Sequence, residues 1–384
     1  MIKEFITRKL RTMLTESRIP FKISLPEDIL QIKDVFEENG YKLYVVGGAV
    51  RDSLLGKEPK DFDLATDAIP DKVEEILADA GFRTLPTGKA FGVINVFTDS
   101  GEYEIATFRE DLSGGRRPDA VKFTDIESDV KRRDLTINAL FYDIDTNEIV
   151  DLVGGVNDLK NGVVRTVGSP QERFGEDRLR ILRAIRFAGR FGSELDPEVD
   201  AALQQDASLD GISGERIRDE FLKGITSSKS TTQFLKLVDK YGLFDWIFKG
   251  LRVNTDFSES KDPILVIATL LSGNDPSVVN KQLNNLKYTI EGARAITFLI
   301  SLLRLSPETA VALKRMQKNS GVTDAQIQWF GSKMNLDQKL LKAFIQFKLS
   351  VSGEDLMQRL NLKPGKELGD AIAKAEYDNF KKLL

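Results

Sequence analysis

The sequence predicts an α+β protein: a small mixed sheet with helices over residues 25–150, followed by an all-helical remainder. Three observations carry this. Short apolar runs with strand character alternate with runs at helical spacing between Leu25 and Val150. From Asp151 onward the strand signals fade and apolar residues recur at helical spacing. At 384 residues the chain is too long for one core, so several compact units are expected. We divide it into a helical extension (1–24), a sheet-bearing head (25–150), a first helical segment (151–225) and a second (226–384).

Composition narrows the chemistry. Hydrophobic content of 41% and charged content of 30% describe a globular chain. The formal net charge of −4 advertises no overall nucleic-acid affinity, so any basic surface is local. Cysteine and histidine are both absent, which excludes disulfides, thiol chemistry, imidazole catalysis and His-ligated metals. A metal in this chain is therefore a hard cation on Asp or Glu oxygens. The longest apolar runs are too short to span a bilayer and the N-terminus lacks a secretion signal's apolar core, so a cytoplasmic location and no membrane partner are expected.

Residues 1–24 suggest a short helix and then a loop broken at Pro20. Leu25–Gly40 carries Ile29, Ile32, Val35 and Phe36 at helical spacing and ends at a glycine C-cap. The strand at Leu43–Val46 stops at Gly47-Gly48, and a helix opens at once through Arg51. Two glycines between a strand and a helix let backbone approach a ligand closely, and the amides there suit an anion. Arg51, in the first turn, is placed to reach a phosphate. After a loop, Asp61 and Asp63 flank Phe62. In an extended segment both carboxylates share one face and Phe62 takes the other. Co-facial acids beside a phosphate cradle are what a two-Mg²⁺ phosphoryl-transfer site requires.

Pro70 opens a helix at 71–80, closed by Gly81. Strands at Gly92–Phe97 and Tyr103–Phe108 are joined by a turn at Asp99-Ser100-Gly101. On the second strand Glu104 alternates away from Ile105, which makes it a candidate third acid or simply an exposed strand residue. Arg109–Pro118 breaks periodicity and reads as a mobile loop. Before the strand at Ala139–Ile144, Arg132, Arg133, Asp134 and Asn138 are polar enough to serve a nucleotide, arginine for phosphate and Asp or Asn for ribose hydroxyls.

The helical part opens with a local basic surface. Between positions 165 and 190 stand seven arginines against three carboxylates. On a helix starting near Glu176, Leu179, Leu182 and Ile185 suit a core face, while Asp177 and Arg180 stand side by side on another. Arg183, Arg186 and Arg190 form a further stripe suited to phosphates. Ser213–Ile225 is an amphipathic helix with Ser213 as N-cap, carrying Arg216. The remainder reads as stacked helices whose apolar residues need only core packing.

These segments, in this order, resemble class II of the polymerase-β-like nucleotidyltransferases: the tRNA nucleotidyltransferase (CCA-adding) and bacterial poly(A) polymerase family. VGGAVRDSLLGKEPKDFDLAT resembles its catalytic motif, which implies metal binding at Asp61 and Asp63 and triphosphate contact at Gly47, Gly48 and Arg51. RRDLTINAL resembles its ribose motif, which implies sugar contacts at Arg133, Asp134 and Asn138. DLVGGVNDL is similar to the hinge between head and neck, and EDRLRILRAIRF to the base-selecting helix, which maps selection onto Asp177 and Arg180. SGERIRDE resembles the next neck motif, and SGEDLMQRLNLKPGKELG a C-terminal segment frequent in these enzymes.

The resemblance implies a catalytic head, a base-selecting neck, and a body and tail that hold tRNA. CTP and ATP are the implied substrates and Mg²⁺ the implied cofactor, with Arg183, Arg186, Arg190 and Arg216 as RNA contacts. The chemistry of the pair at 177 and 180 agrees. Cytosine and adenine both present an amino donor beside a ring acceptor, which a carboxylate and a guanidinium complement. Uracil and guanine present the reverse pattern. TGKAFGVINVF resembles the CCA-adding form, and no GRRF-type stretch of the poly(A) branch follows. In the loop where the family usually reads DGR, Gly114 replaces the acid. Poly(A) or partial addition is the rival activity. A silent tRNA-binding protein is the rival of another class, though the intact acid pair speaks against silence.

Overall fold

The computed structural model describes residues 18–112, 121–257 and 259–384. The chain forms two compact units, Met1–Ala207 and Ser208–Leu384, whose boundary falls inside the 151–225 stretch.

The first unit carries ten strands of the head: β1 (Arg18–Pro20), β2 (Leu43–Val46), β3 (Asp63–Thr66), β4 (Arg83–Gly88), β5 (Val93–Phe97), β6 (Glu102–Thr107), β7 (Arg109–Asp111), β8 (Val121–Phe123), β9 (Phe141–Asp143) and β10 (Glu148–Val150). Eight of them make one sheet in the order β1-β10-β9-β2-β3-β6-β5-β4, and β7 with β8 makes a separate hairpin. The sheet is mixed because β3 and β6 run parallel while its other neighbours are antiparallel.

Alternation along β2 builds cores on both faces of this sheet. Leu43 and Val45 pack with Ile29, Ile32 and Phe36 of the helix Glu27–Glu38 and with Val73, Ile76 and Leu77 of the helix Pro70–Asp79. Tyr44 and Val46 face the other way, onto Phe108 and Phe141. Each fully buried side chain of this size contributes roughly 1.5–3 kcal/mol. Phe36→Ala, at a site with no exposure, would remove about 3–5 kcal/mol and open the larger core.

Several sequence expectations change here. Residues 18–20 are an edge strand on β10, not a loop, because Arg18 also pairs with Asp143 and Glu148; residues 1–17 lie outside the described residues. Arg83–Gly88 is a strand too, unmarked in sequence because most of it is exposed at the sheet edge. Arg109–Asp111, expected in a loop, pairs with β8, and Arg109 is tied to Asp111 and to Phe91 O. Gly114 and the rest of that loop, 113–120, lie outside the described residues. Instead of one helix from Glu176 there are two, Pro170–Glu176 and Leu179–Phe191, with Asp177 in extended backbone between them. Val163–Val164 and Glu194–Leu195 also pair as a short parallel ladder after the expected end of the strands.

The regular elements among the described residues of the second unit are all helices. Most of its helices start at side-chain caps: Ser213, Ser230, Asp262, Asp275, Thr289, Asp337 and Ser352 each accept a bond from the first turn, and Thr323 with Gln326 forms a capping box. Around Phe221 an aromatic cluster gathers Phe234, Phe244 and Phe248. Among the described residues no helix is long and apolar enough to cross a membrane.

Candidate active site

The site is built where β2 ends. Val46 is the register partner of Asp63, so the turn after β2 lies beside the first acid of β3. Gly47 takes φ +66°, donates its N–H to Leu140 O at 2.9 Å and accepts from Arg51 N at 3.1 Å. The positive φ would strain any side chain there, which favours glycine, although a Cβ would make only ordinary contacts with the Asn138 carbonyl at 3.5 Å and Arg133 at 3.7 Å. Gly48 then begins the helix Gly48–Leu54.

The acids follow from strand alternation. Phe62 packs with the larger core alongside Leu64, which leaves Asp63 on the opposite face with Ala65. Strand β3 proper starts at Asp63, so Asp61 precedes the ladder. In the parallel pair β3/β6, Leu64 matches Ile105, which sets Glu104 beside Asp63 on the same face. Asp61, Asp63 and Glu104 line one cleft of about 1290 Å³ together with Ser53, Lys57 and Lys60.

The acids crowd one another. Partial desolvation in the cleft raises the Asp63 carboxyl above the ordinary carboxylate range; Asp61 adds to the rise and Arg133 opposes it. Glu104 is raised likewise, by desolvation and by Asp63 and Glu102. Hard oxygen donors whose mutual repulsion Arg133 only partly offsets fit a hard divalent cation. Among the described residues no group of three or more such side chains is placed to enclose a metal ion. A pair of carboxylates completed by substrate oxygens and water suits Mg²⁺, which keeps several non-protein ligands.

Behind the turn, a chain of polar side chains runs through the unit. Arg51 is only 4% exposed; it pairs with Asp52 and donates to Asn138 Oδ1 at 2.5 Å. Asn138 Nδ2 donates to Asp134 Oδ1 at 3.3 Å, and Arg183 Nε donates to Asp134 Oδ2 at 2.6 Å. Burial alone would raise the Asp134 acid, but Arg183, the Leu135 N–H and Asn138 outweigh it and hold it below the ordinary range. Arg133 is held by Asp129 at 3.0 Å, lies over the Phe141 ring and sits next to Gly47.

Asp177 and Arg180 are arranged differently from a simple i, i+3 pair. Asp177 Oδ1 accepts from Leu179 N at 3.1 Å, just before the helix Leu179–Phe191. Arg180 pairs with Glu176 at 2.5 Å and donates to the carbonyls of Arg173 and Arg132 at 3.2 and 2.9 Å. The guanidinium is thereby anchored between the ribose-motif segment and the preceding helix.

The arginine stripe expected to meet RNA is engaged inside its own unit. Arg183 holds Asp134, Arg190 holds Asp52 at 2.9 Å, and Arg186 is buried with its guanidinium over the Phe187 ring. Two acids on the head and two rings on this helix explain the orientation. Phe187 and Phe191 stack at 5.9 Å and offer their faces to Arg51. Arg216 lies in the other unit, half-buried on the helix Gly214–Ser227.

Sequence reasoning passed over Asp52, Asp129 and the Phe187–Phe191 ring pair. Spacing could have found the last two: Asp129 stands three and four residues before Arg132 and Arg133, and the rings stand four apart on a helix. The tie of Asp52 to Arg190 had no local signal, because the two are 138 residues apart.

Comparison with known proteins identifies the family. Residues 43–165 match a family described as "Poly A polymerase head domain", and residues 192–254 match "Probable RNA and SrmB- binding site of polymerase A". The CCA-adding enzyme of Ligilactobacillus salivarius is 33% identical over 387 residues, covering 93% of this chain and 92% of its own. That of Lactococcus lactis subsp. lactis is 34% identical over 376 residues, covering 91% and 92%. Among solved structures, the Bacillus stearothermophilus CCA-adding enzyme in complex with CTP is similar with a TM-score of 0.72 at 26% identity, over 93% of each chain. A head with paired acids beside a glycine turn, in a chain alike to these relatives over nearly its whole length, belongs to the CCA-adding enzymes, the nucleotidyltransferases that process tRNA.

Proposed function

We propose that this chain adds C, C and A to the 3′ end of tRNA from CTP and ATP without a nucleic-acid template, and that Asp61, Asp63 and Glu104 form the catalytic edge. The observation that carries the reading is the register of β2, β3 and β6, which sets Asp63 beside both the glycine turn and Glu104. Asp61 and Asp63 would hold Mg²⁺. Bound there, the cation would favour the attacking 3′-oxygen and offset charge on the leaving pyrophosphate. Gly47 and Gly48 give the triphosphate room to approach backbone. Arg51 keeps the turn and Asn138 in place from behind, while Arg133 presents positive charge beside Gly47. Asp134 and Asn138 take the ribose hydroxyls.

For base choice, Asp177 accepts from the exocyclic amine and Arg180 donates to the ring nitrogen of C or A. The anchoring of Arg180 by Glu176 and two carbonyls supports a fixed template, since a loose guanidinium discriminates poorly. We assign RNA contact to Arg216, which lies within the matched segment described as a probable RNA-binding site. In domain terms the head is 25–150, the neck 151–225, and the body and tail 226–384. The solved relatives include a Thermotoga maritima CCA-adding enzyme complexed with tRNA and a CCA-adding enzyme complexed with ATP, which agree with tRNA and ATP as partners here. We assign the activity to the cytoplasm on the same reading.

The test extends a tRNA lacking its 3′ end with CTP alone, ATP alone, and the two together. Two C residues, then one A and a stop, is the expected product. A long A tail would replace this reading with poly(A) synthesis, and no extension would leave a binding protein.

A further inference from the structure

We infer that Arg183 is a positioning residue for sugar discrimination: by fixing the Asp134 carboxylate it ties ribose recognition to the helix that carries the base-reading Arg180. The inference rests on the reading of Asp134 as a ribose contact.

The geometry gives Asp134 little freedom. Leu135 N–H and Asn138 Nδ2 both donate to Oδ1, at 2.8 and 3.3 Å, and Arg183 Nε donates to Oδ2 at 2.6 Å. An ionised carboxylate offers about four lone-pair sites, so it can take a sugar hydroxyl as a further donor only if it stays ionised and correctly aimed. The Asp134 side chain is 11% exposed, and burial disfavours its charged form, which Arg183 foremost offsets. The Arg183 Nε bond to Oδ2, set against the two bonds to Oδ1, fixes the orientation of the carboxylate.

Arg183 belongs to the helix Leu179–Phe191, one turn after Arg180. A fixed distance along one helix therefore separates the group that reads the base from the group that aims the sugar acceptor. Asn138, on the other side of Asp134, is held by Arg51. The sugar acceptor is thus clamped from the phosphate turn and from the base-reading helix together. A deoxynucleotide lacks the 2′ donor and would leave this clamped acid without its last partner, a mismatch that a loosely held acid could avoid by turning away.

The experiment measures kcat/KM for CTP and dCTP, and for UTP, on Arg183→Ala, Arg183→Lys, Arg183→Gln, Asp134→Ala and the double Arg183→Ala/Asp134→Ala variant. Salt dependence of tRNA binding is measured on the same proteins. Arg183→Ala should lower the preference for CTP over dCTP by about tenfold. It should leave the CTP-to-UTP ratio and the salt slope unchanged. Lysine should restore most of the preference and glutamine should not, a comparison that stands even where the alanine variant folds poorly. The double variant should be no worse in sugar preference than Asp134→Ala alone.

Equal losses for CTP and dCTP, or a salt slope reduced by about one, would overturn the inference and return Arg183 to the phosphates of RNA or nucleotide. If Asp134→Ala lowers sugar preference and Arg183→Ala does not, the positioning role alone fails. If Asp134→Ala leaves sugar preference intact, the ribose reading fails and the inference goes with it.

Discussion

Arg190 Nη2 lies 2.9 Å from Oδ2 of Asp52, while Oδ1 of the same acid accepts from Arg51 Nε at 3.0 Å. One carboxylate therefore joins the helix after the glycine turn to the arginine-rich helix, and a single acid serves two cations. Both partners are partly exposed, so the pair is worth about 0.5–1 kcal/mol, not the several of a dry ion pair. A double-mutant cycle with Arg190→Ala and Asp52→Asn, read by urea unfolding, should give a coupling in that range that shrinks with salt. A coupling indistinguishable from zero would mean that the other contacts of this helix, Arg183 with Asp134 and the rings over Arg51 among them, dock it without this pair.

Asp61→Ala and Asp63→Ala should each abolish incorporation of both C and A, by at least about a thousandfold, because positioning without the metal leaves little of the chemistry. Binding of tRNA should persist, since RNA affinity resides chiefly in basic contacts elsewhere. Near-normal turnover by either variant in Mg²⁺ would refute the assignment.

The raised acid at Asp63 makes a stability prediction of opposite sign to the catalytic one. Its folded pKa lies above the unfolded value, so its charge opposes folding at neutral pH, and that opposition fades as pH falls through the raised value. Metal-free Asp63→Asn should therefore melt about 1–3 °C above the parent at pH 7, by thermal scans in chelator. The advantage should disappear once pH drops below the ordinary carboxylate value of 3.8. A variant melting lower than the parent at neutral pH would show that Asp63 is a structural acid.

Arg180→Ala should spoil selection more than turnover. The ring acceptor of C or A loses its donor, and the penalty against the ring N–H of uracil goes too. Discrimination against UTP should fall by roughly 1–3 kcal/mol, about ten- to a hundredfold in kcat/KM ratios. Asp177→Ala should act alike by removing the acceptor for the amine. Arg180 also holds Glu176 and two carbonyls, so a structural role predicts a uniform drop for all four nucleotides. Unchanged ratios would remove the template reading.

What could be read from sequence was what local spacing encodes. The turn at Gly47-Gly48, the alternation of Asp63 against Phe62 and Leu64, and the strand carrying Glu104 all follow from periods of two and from glycine. Their convergence needed the parallel pairing of β3 with β6, which no local pattern announces. The arginine helix has partners that were hidden for a related reason. Counted along the chain it is a basic surface, but Asp52 and Asp134 arrive from more than forty residues away to neutralise part of it. Arg51 was expected to reach a phosphate from the first turn; its burial was not legible, because the rings that cover it, Phe187 and Phe191, lie far along the chain. Edge strands β1 and β4 were invisible because short, half-exposed strands carry little apolar pattern.

Strand β1 pairs with β10, so Arg18 must wait for Val150 before it has a neighbour. On a ribosome adding roughly 5–20 residues per second, that wait is on the order of ten seconds. Strands β2 to β6, with the acids and the glycine turn, are synthesised well before then and can pair among themselves. Nascent chains consequently carry the beginnings of the cleft while one flank of the sheet is still open, and β9 and β10 supply both the closing hydrogen bonds and the attachment point for the N-terminal strand. Vectorial synthesis thus makes the ribose-motif segment and the strands that follow it the step on which completion of the head depends.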